Sequence, residues 1–143
     1  MEQEGSFLIA RIKQLGDRVL KRTISKKNIE IINGAQGRIL YVLWKRDGIP
    51  IKELSKQTGL AMSSLTTMLN RMETAGLIYR QHGGKDRRKV LIFLTETSRA
   101  LELDYKLLMH EIDSIYYRNF DMWEIMVFES YLRRILENVE EAL

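Results

Sequence analysis

Cysteine is absent from this chain, proline occurs once and histidine twice. Without cysteine there can be no disulfide framework, no thiolate metal site and no thiol redox switch. Such a composition suits a reducing compartment, and the expected location is cytoplasmic. One proline and nine glycines in 143 residues argue for a chain that is mostly helix. No stretch approaches the roughly 20 consecutive apolar residues of a membrane span. The opening MEQEGSFLIARIKQ has no basic segment followed by a long apolar run, so neither a membrane anchor nor a secretory signal is expected. His82 and His110 lie in different segments without H-x-x-x-H spacing, so no metal site is indicated. The pair Gly83-Gly84 lacks the Lys-Ser/Thr of a phosphate loop. Glu102, Asp104, Glu137, Glu140 and Glu141 read as solvated helix faces. No catalytic constellation emerges, and neither enzyme activity nor a cofactor is expected.

What the chain does contain is unevenly placed charge. Residues 1–29 hold seven basic and three acidic side chains, residues 30–94 eleven and five, and residues 95–143 five and eleven. A basic middle with an acidic C-terminal part points to a polyanion bound by the middle and held away from the end. The length suggests one compact domain, and 45% hydrophobic with 29% charged residues is ordinary for a globular protein.

The most informative stretch is residues 51–95, which reads helix, tight turn, helix, strand, glycine turn, strand. IKELSKQT ends at Gly59, and a second helix over residues 62–75 stops at Gly76; glycine can close a helix in the left-handed conformation. Leu65, Met68, Leu69 and Met72 recur at helical spacing and mark a buried face. The opposite face carries Ser63, Ser64, Thr66, Thr67, Asn70 and Arg71, with no carboxylate before Glu73. Short hydrogen-bonding side chains of this kind suit a DNA major groove. Residues 77–80 and 89–94 are rich in strand formers, and the loop between them, residues 81–88, is polar and basic. Helix-turn-helix plus basic hairpin makes a winged helix, over residues 33–95. The fold class expected is mainly α with a small β-wing.

These residues resemble the MarR family of transcriptional regulators. The resemblance rests on ELSKQTGL, on SSLTTMLNRMETAGLIYR, and on Asp86-Arg87-Arg88 followed by LIFLT, and it covers nearly the whole chain. The family's D-x-R wing motif falls on Asp86 and Arg88, and its closing L-T pair on Leu94 and Thr95. The resemblance implies a ligand-responsive repressor that binds a pseudo-palindromic operator in double-stranded DNA as a homodimer. Arg88 stands at the family's wing-arginine position, placed for a narrow minor groove. Lys85, Arg87 and Lys89 would hold phosphates. Asp86 would shape the wing by pairing with Arg71, Arg80 or Arg88. Three positions depart from the family's usual pattern: Ala61 where a capping side chain is common, Thr67 where arginine is frequent, and Gly37 where a bulky apolar residue is usual.

The flanks also read as helix. Leu8, Ile12, Leu15 and Val19 form an apolar stripe over residues 7–24, which nothing within the segment covers. After the short apolar link 29–32, Asn33 is a cap candidate for a helix over residues 35–46. The resemblance also implies a short strand just before the helix-turn-helix, so Ile49 is expected to pair with the wing. Beyond Thr95 a fifth helix over residues 98–117 and a last helix begun by the Asp121/Glu124 capping arrangement are expected. Residues 6–24 and 98–143 are therefore read as dimerisation helices. The family resemblance also implies a small anionic or phenolic effector. Gly37, Arg38, Tyr41, Trp44, Tyr105 and Met109 are its candidate contacts, chosen by periodicity and residue type. The competing reading is a winged-helix module whose wing contacts a protein; the polar helix face and arginine-rich wing favour DNA.

Overall fold

The computed structural model describes residues 1–27, 34–83 and 85–143, with the backbone but not the side chain of Arg87. The link 29–32, the cap position Asn33 and Gly84 of the wing turn lie outside the described residues. The elements run α1 (Gly5–Lys26), α2 (Gly34–Lys45), β1 (Ile49–Pro50), α3 (Ile51–Thr58), α4 (Met62–Thr74), β2 (Ile78–Gly83), β3 (Asp86–Leu94), α5 (Glu96–Ala100), α6 (Glu102–Tyr116) and α7 (Met122–Glu141). The chain forms two compact units, Met1–Leu108 and Met109–Leu143. No helix among the described residues is long and apolar enough to cross a membrane.

In the first unit, Ile39, Leu40, Leu43, Leu54, Leu65, Leu69, Met72, Leu77, Ile78 and Ile92 are fully buried. Apolar positions three and four apart on α2 and α4, and alternate positions on the strands, thus feed one core. Met68, expected on the buried face of α4, is half-buried. Gly59 and Gly76 adopt φ of 74° and 78°, the left-handed conformation that ends α3 and turns the chain out of α4. A β-branched residue at either place would be strained.

The sheet has the order β1-β3-β2, all antiparallel. Ile49 pairs with Ile92, as expected, so the entrance to the helix-turn-helix is stitched to the wing. The strands run further than their apolar composition indicates. β2 continues through Gly83 and β3 begins at Asp86, so most of the expected loop is hairpin. The pairing passes from His82 with Val90 to Gly83 with Asp86, and Arg87, Arg88 and Lys89 fall in that shift of register.

One expected helix is two. Leu101 ends α5, its N–H bonded to Ser98 O at 3.2 Å in a tightened three-residue turn, before Tyr105 N–H resumes the α pattern on Leu101 O. Thr95 caps α5, accepting the Ser98 N–H.

The second unit opens with the rest of α6. Asp121 and Glu124 form the full capping box of α7, each side chain accepting the other's backbone N–H. Tyr117, Phe120 and Phe128 pack edge-on or tilted, with centroids 5.9–6.5 Å apart. The Tyr117 hydroxyl donates to Glu129 at 2.9 Å. Burial, that bond and the charges of Glu129 and Asp113 push the Tyr117 pKa up to about 12. Burial raises the Asp113 carboxyl too, with Glu129 adding and His110 opposing. No residue of α7 is buried within the chain.

Two stability measurements test this account. Leu69→Ala, on the buried face of α4, is expected to cost about 2–5 kcal/mol in denaturant unfolding. Thr67→Ala on the exposed face of the same helix should stay within about 0.5 kcal/mol. Asp113 has a folded pKa above its unfolded one. Such a carboxyl contributes stability fully below the unfolded pKa and loses it as pH rises through the folded pKa. Asp113→Asn is therefore expected to raise the melting temperature at pH 7, with the gain vanishing near about pH 3, where the aspartate is itself protonated. Thermal melts of both proteins at the two pH values check it.

Candidate nucleic-acid interface

The polar face of α4 is exposed along Ser63, Ser64, Thr66, Thr67, Asn70 and Arg71. The helix starts at Ala61, whose extended backbone (φ −63°, ψ 146°) suits a cap position but whose methyl group offers no acceptor. The first-turn N–H groups of α4 are therefore not taken up by a capping side chain, which leaves them suited to an anion. The threonines behave differently from the serines. Thr66 Oγ1 donates to Met62 O at 2.9 Å and Thr67 Oγ1 to Ser63 O at 3.2 Å. With their protons turned into the helix, these hydroxyls present acceptor oxygens and methyl groups outward.

The C-terminal half of α4 is tied to β2. Arg80 Nη1 donates to Glu73 Oε1 at 3.0 Å, its backbone N–H to Glu73 Oε2 at 3.2 Å, and its Nη2 to Asn70 Oδ1 at 2.9 Å. An open depression lined by Asn70, Arg71, Thr74 and Ala75 lies along the same part of the helix. The single acid on α4 is thus neutralised by a strand residue. From sequence, Arg80 stands only as a candidate partner for Asp86, and this role is missed. The available signal was Glu73, three residues after Asn70 on one helix face and directly before the turn into β2.

On the wing, Asp86 is braced by its own neighbourhood. Its Oδ1 accepts the Arg88 backbone N–H at 3.1 Å and lies 3.5 Å from Arg88 Nε. Of the three arginines considered as its partner, Arg88 is the one it meets, and Arg80 belongs to Glu73. The Arg88 side chain is 94% exposed, so this pair adds little stability and mainly holds the backbone. Lys85 and Lys89 are exposed beside it. Behind the wing, Tyr79 stacks on Phe93 with centroids 5.4 Å apart.

The structure brings together three of the six effector candidates. Tyr105 lies 5.0 Å from Trp44 and 6.5 Å from Tyr41, centroid to centroid. Trp44 Nε1–H donates to Ser98 O at 2.9 Å, and Tyr105 is buried, so both serve the core of the first unit. Gly37 is buried and Arg38 exposed on α2. The cation over Tyr41 is Lys45, 4.3 Å from the ring, which its i+4 spacing on α2 could have indicated. Met109 belongs to the second unit and is half-buried there.

Helix α3, the turn at Gly59, helix α4 and the basic β2–β3 hairpin constitute a winged helix, the class of DNA-binding module that this geometry defines. Residues 32–90 match the model of the MarR family. The chain is 33% identical over 102 residues to the organic hydroperoxide resistance transcriptional regulator of Bacillus subtilis (strain 168), across 71% of this chain and 67% of that protein. It is 35% identical over 74 residues to the HTH-type transcriptional regulator TtmR of Methylorubrum extorquens (strain PA1), across 52% of this chain but only 38% of that protein's length. Its fold superimposes with a TM-score of 0.80 on a mutant of MarR from E. coli complexed with operator DNA, at 26% identity and over 92% of each chain. The chain belongs to the MarR family of transcriptional regulators.

Proposed function

We propose that the chain binds operator DNA sequence-specifically as a homodimer and acts as a ligand-responsive repressor. The observation that carries this reading is the pairing of an exposed polar helix face with a basic hairpin. The one acid of α4, Glu73, is already neutralised by Arg80, so it does not oppose a phosphate backbone. Helix α4 enters the major groove with Ser63, Ser64, Thr66, Thr67, Asn70 and Arg71, and the tip of the wing reaches the adjacent minor groove with Arg88. Lys85, Arg87 and Lys89 bind phosphates. The regulator of E. coli solved with operator DNA supports this arrangement by its similar fold. A small anionic or phenolic effector would engage the α2 surface around Arg38, Tyr41 and Lys45, where the Lys45 ammonium lies over the exposed Tyr41 ring and Arg38 is also exposed.

Dimerisation is supported by what the chain leaves uncovered. Phe7, Leu8, Ile9, Ile12 and Leu15 on α1 are exposed, as are Leu103, Leu107 and Ile115 on α6. On α7, Trp123 is 71% exposed, and Met126, Tyr131, Ile135, Leu136 and Val139 accompany it. Apolar surface on this scale marks an interface. A two-fold dimer would read half-sites about one helical turn, roughly 10 bp, apart.

Binding is tested by gel shift against the DNA upstream of the coding region at moderate salt, followed by titrations of two wing variants. Arg87→Ala is expected to weaken operator and random DNA alike and to flatten the slope of log K against log salt by about one. Arg88→Ala should cost more on an A·T-rich flank than on a G·C-rich one, by about 1–3 kcal/mol. Equal losses on both flanks would reduce Arg88 to a phosphate clamp, and no loss from either variant would favour a protein partner for the wing. For assembly, deletion of residues 122–143 should give a monomeric or aggregated protein that binds DNA poorly. Sedimentation showing a soluble, fully DNA-competent monomer would overturn the dimer.

A further inference from the structure

The three bonds that Arg80 makes to α4 place more than a salt bridge between wing and helix. Its planar guanidinium spans Glu73 and Asn70 with separate nitrogens, a geometry an ammonium cannot reproduce. Its backbone N–H, on β2, takes the second Glu73 oxygen. The guanidinium side chain is 26% exposed and its charge is compensated by Glu73, so it is poorly suited to act as a phosphate clamp. Its consequence for recognition lies in Asn70. With Oδ1 directed at Arg80, the amide nitrogen is the end of Asn70 that turns outward. Reading adenine needs both ends of an asparagine amide, an acceptor for N6–H and a donor for N7. An asparagine whose oxygen is directed at Arg80 offers donors, which suit the two acceptors of guanine (O6, N7) or thymine O4 better than adenine, whose N7 acceptor lies beside the N6 donor.

We infer that Arg80 is a positioning residue for sequence recognition: it locks β2 to α4 and holds Asn70 as a donor facing the DNA. This rests on the DNA-binding reading above, and its test separates the two. Duplexes are selected from a random pool with the wild-type protein, with Asn70→Ala, with Arg80→Lys and with the double variant Glu73→Gln/Arg80→Met. The double variant removes one charge of each sign and so keeps the net charge of the helix face. Affinity for the selected site and for random DNA is then measured across a salt series, with melting curves to establish folding.

The double variant is expected to bind random DNA within about twofold of wild type with an unchanged salt slope, while the ratio of specific to random affinity falls about tenfold, as for loss of one base contact. The base position that relaxes should be the one that relaxes in Asn70→Ala, and the wild type should hold guanine or thymine there. Arg80→Lys keeps an ion pair with Glu73 yet should relax the same position, and it carries the test should the double variant fail to fold. An unchanged specificity ratio, relaxation at a different position, or adenine as the wild-type base there would overturn the inference. So would a salt slope flattened by about one in the double variant, which would mean that Arg80 itself holds a phosphate. A wild-type protein that selects no sequence overturns the DNA-binding reading, and the inference with it.

Discussion

Two backbone carbonyls, those of Gly76 and Leu77, sit where α4 gives way to β2, and the geometry of the interface depends on how they are satisfied. Thr95 Oγ1 donates to Gly76 O at 2.6 Å, Ser98 Oγ to Leu77 O at 2.6 Å, and the Thr95 N–H to Leu77 O at 3.2 Å. Ser98 O in turn accepts the indole N–H of Trp44. One chain of hydrogen bonds therefore joins α2, the exit of α4, the start of β2, the end of β3 and the first turn of α5. Left unmet beside the buried Leu77 and Ser98 side chains, the Leu77 carbonyl would cost about 1–3 kcal/mol. Thr95 and Ser98 thus do more than start α5, because they set the direction in which the wing leaves α4.

With that direction set, three acids of the winged helix are used at short range. Glu73 is held by Arg80, Asp86 by Arg88, and Asp47 receives both the Leu94 N–H and Arg99. Asp47 caps the end of β3 from the loop before β1, so the far end of the wing sheet is pinned to the entrance of the helix-turn-helix. Each of these acids has a basic or N–H partner of its own, and their fields are short. The net basic charge of residues 30–94 then falls to exposed side chains such as Arg71, Lys85 and Lys89, where it can act on a polyanion.

Much of this was legible before the fold was known, for identifiable reasons. Gly59 and Gly76 bracket α4 because a left-handed residue is a local requirement, readable from the residue type alone. The stripe Leu65, Leu69, Met72 and the capping box Asp121/Glu124 are likewise local, governed by spacings of three and four. What escaped reading depends on register between elements. Arg80 meets Glu73 rather than Asp86 because the turn at Gly76 folds β2 back along the last turn of α4, a tertiary relation for which the spacing of Asn70 and Glu73 before the turn is only a partial signal. The register shift that collects Arg87, Arg88 and Lys89 follows from where two strands pair. The break at Leu101 follows from Ser98 being drawn toward Leu77 and Trp44, a tertiary demand that interrupts an otherwise continuous helical pattern.

The C-terminal helix poses the same problem from the other side. Its sequence is locally consistent, with a complete N-terminal capping box and an apolar stripe at helical spacing. Such features favour a helix, yet an isolated helix of 20 residues is only marginally stable in water, and packing of its apolar face normally supplies the rest. Within the chain α7 buries none of its residues. A stripe containing tryptophan, methionine, tyrosine and isoleucine would not stay exposed in a well-behaved monomer. The cover that requires the least additional assumption is the same helix from a second copy, because a two-fold axis lets one apolar face satisfy both chains. That axis would also give the pair of winged helices the symmetry a pseudo-palindrome demands. A two-fold pairing through α7 would give the packing of the C-terminal helix and the form of the DNA site a single geometric cause.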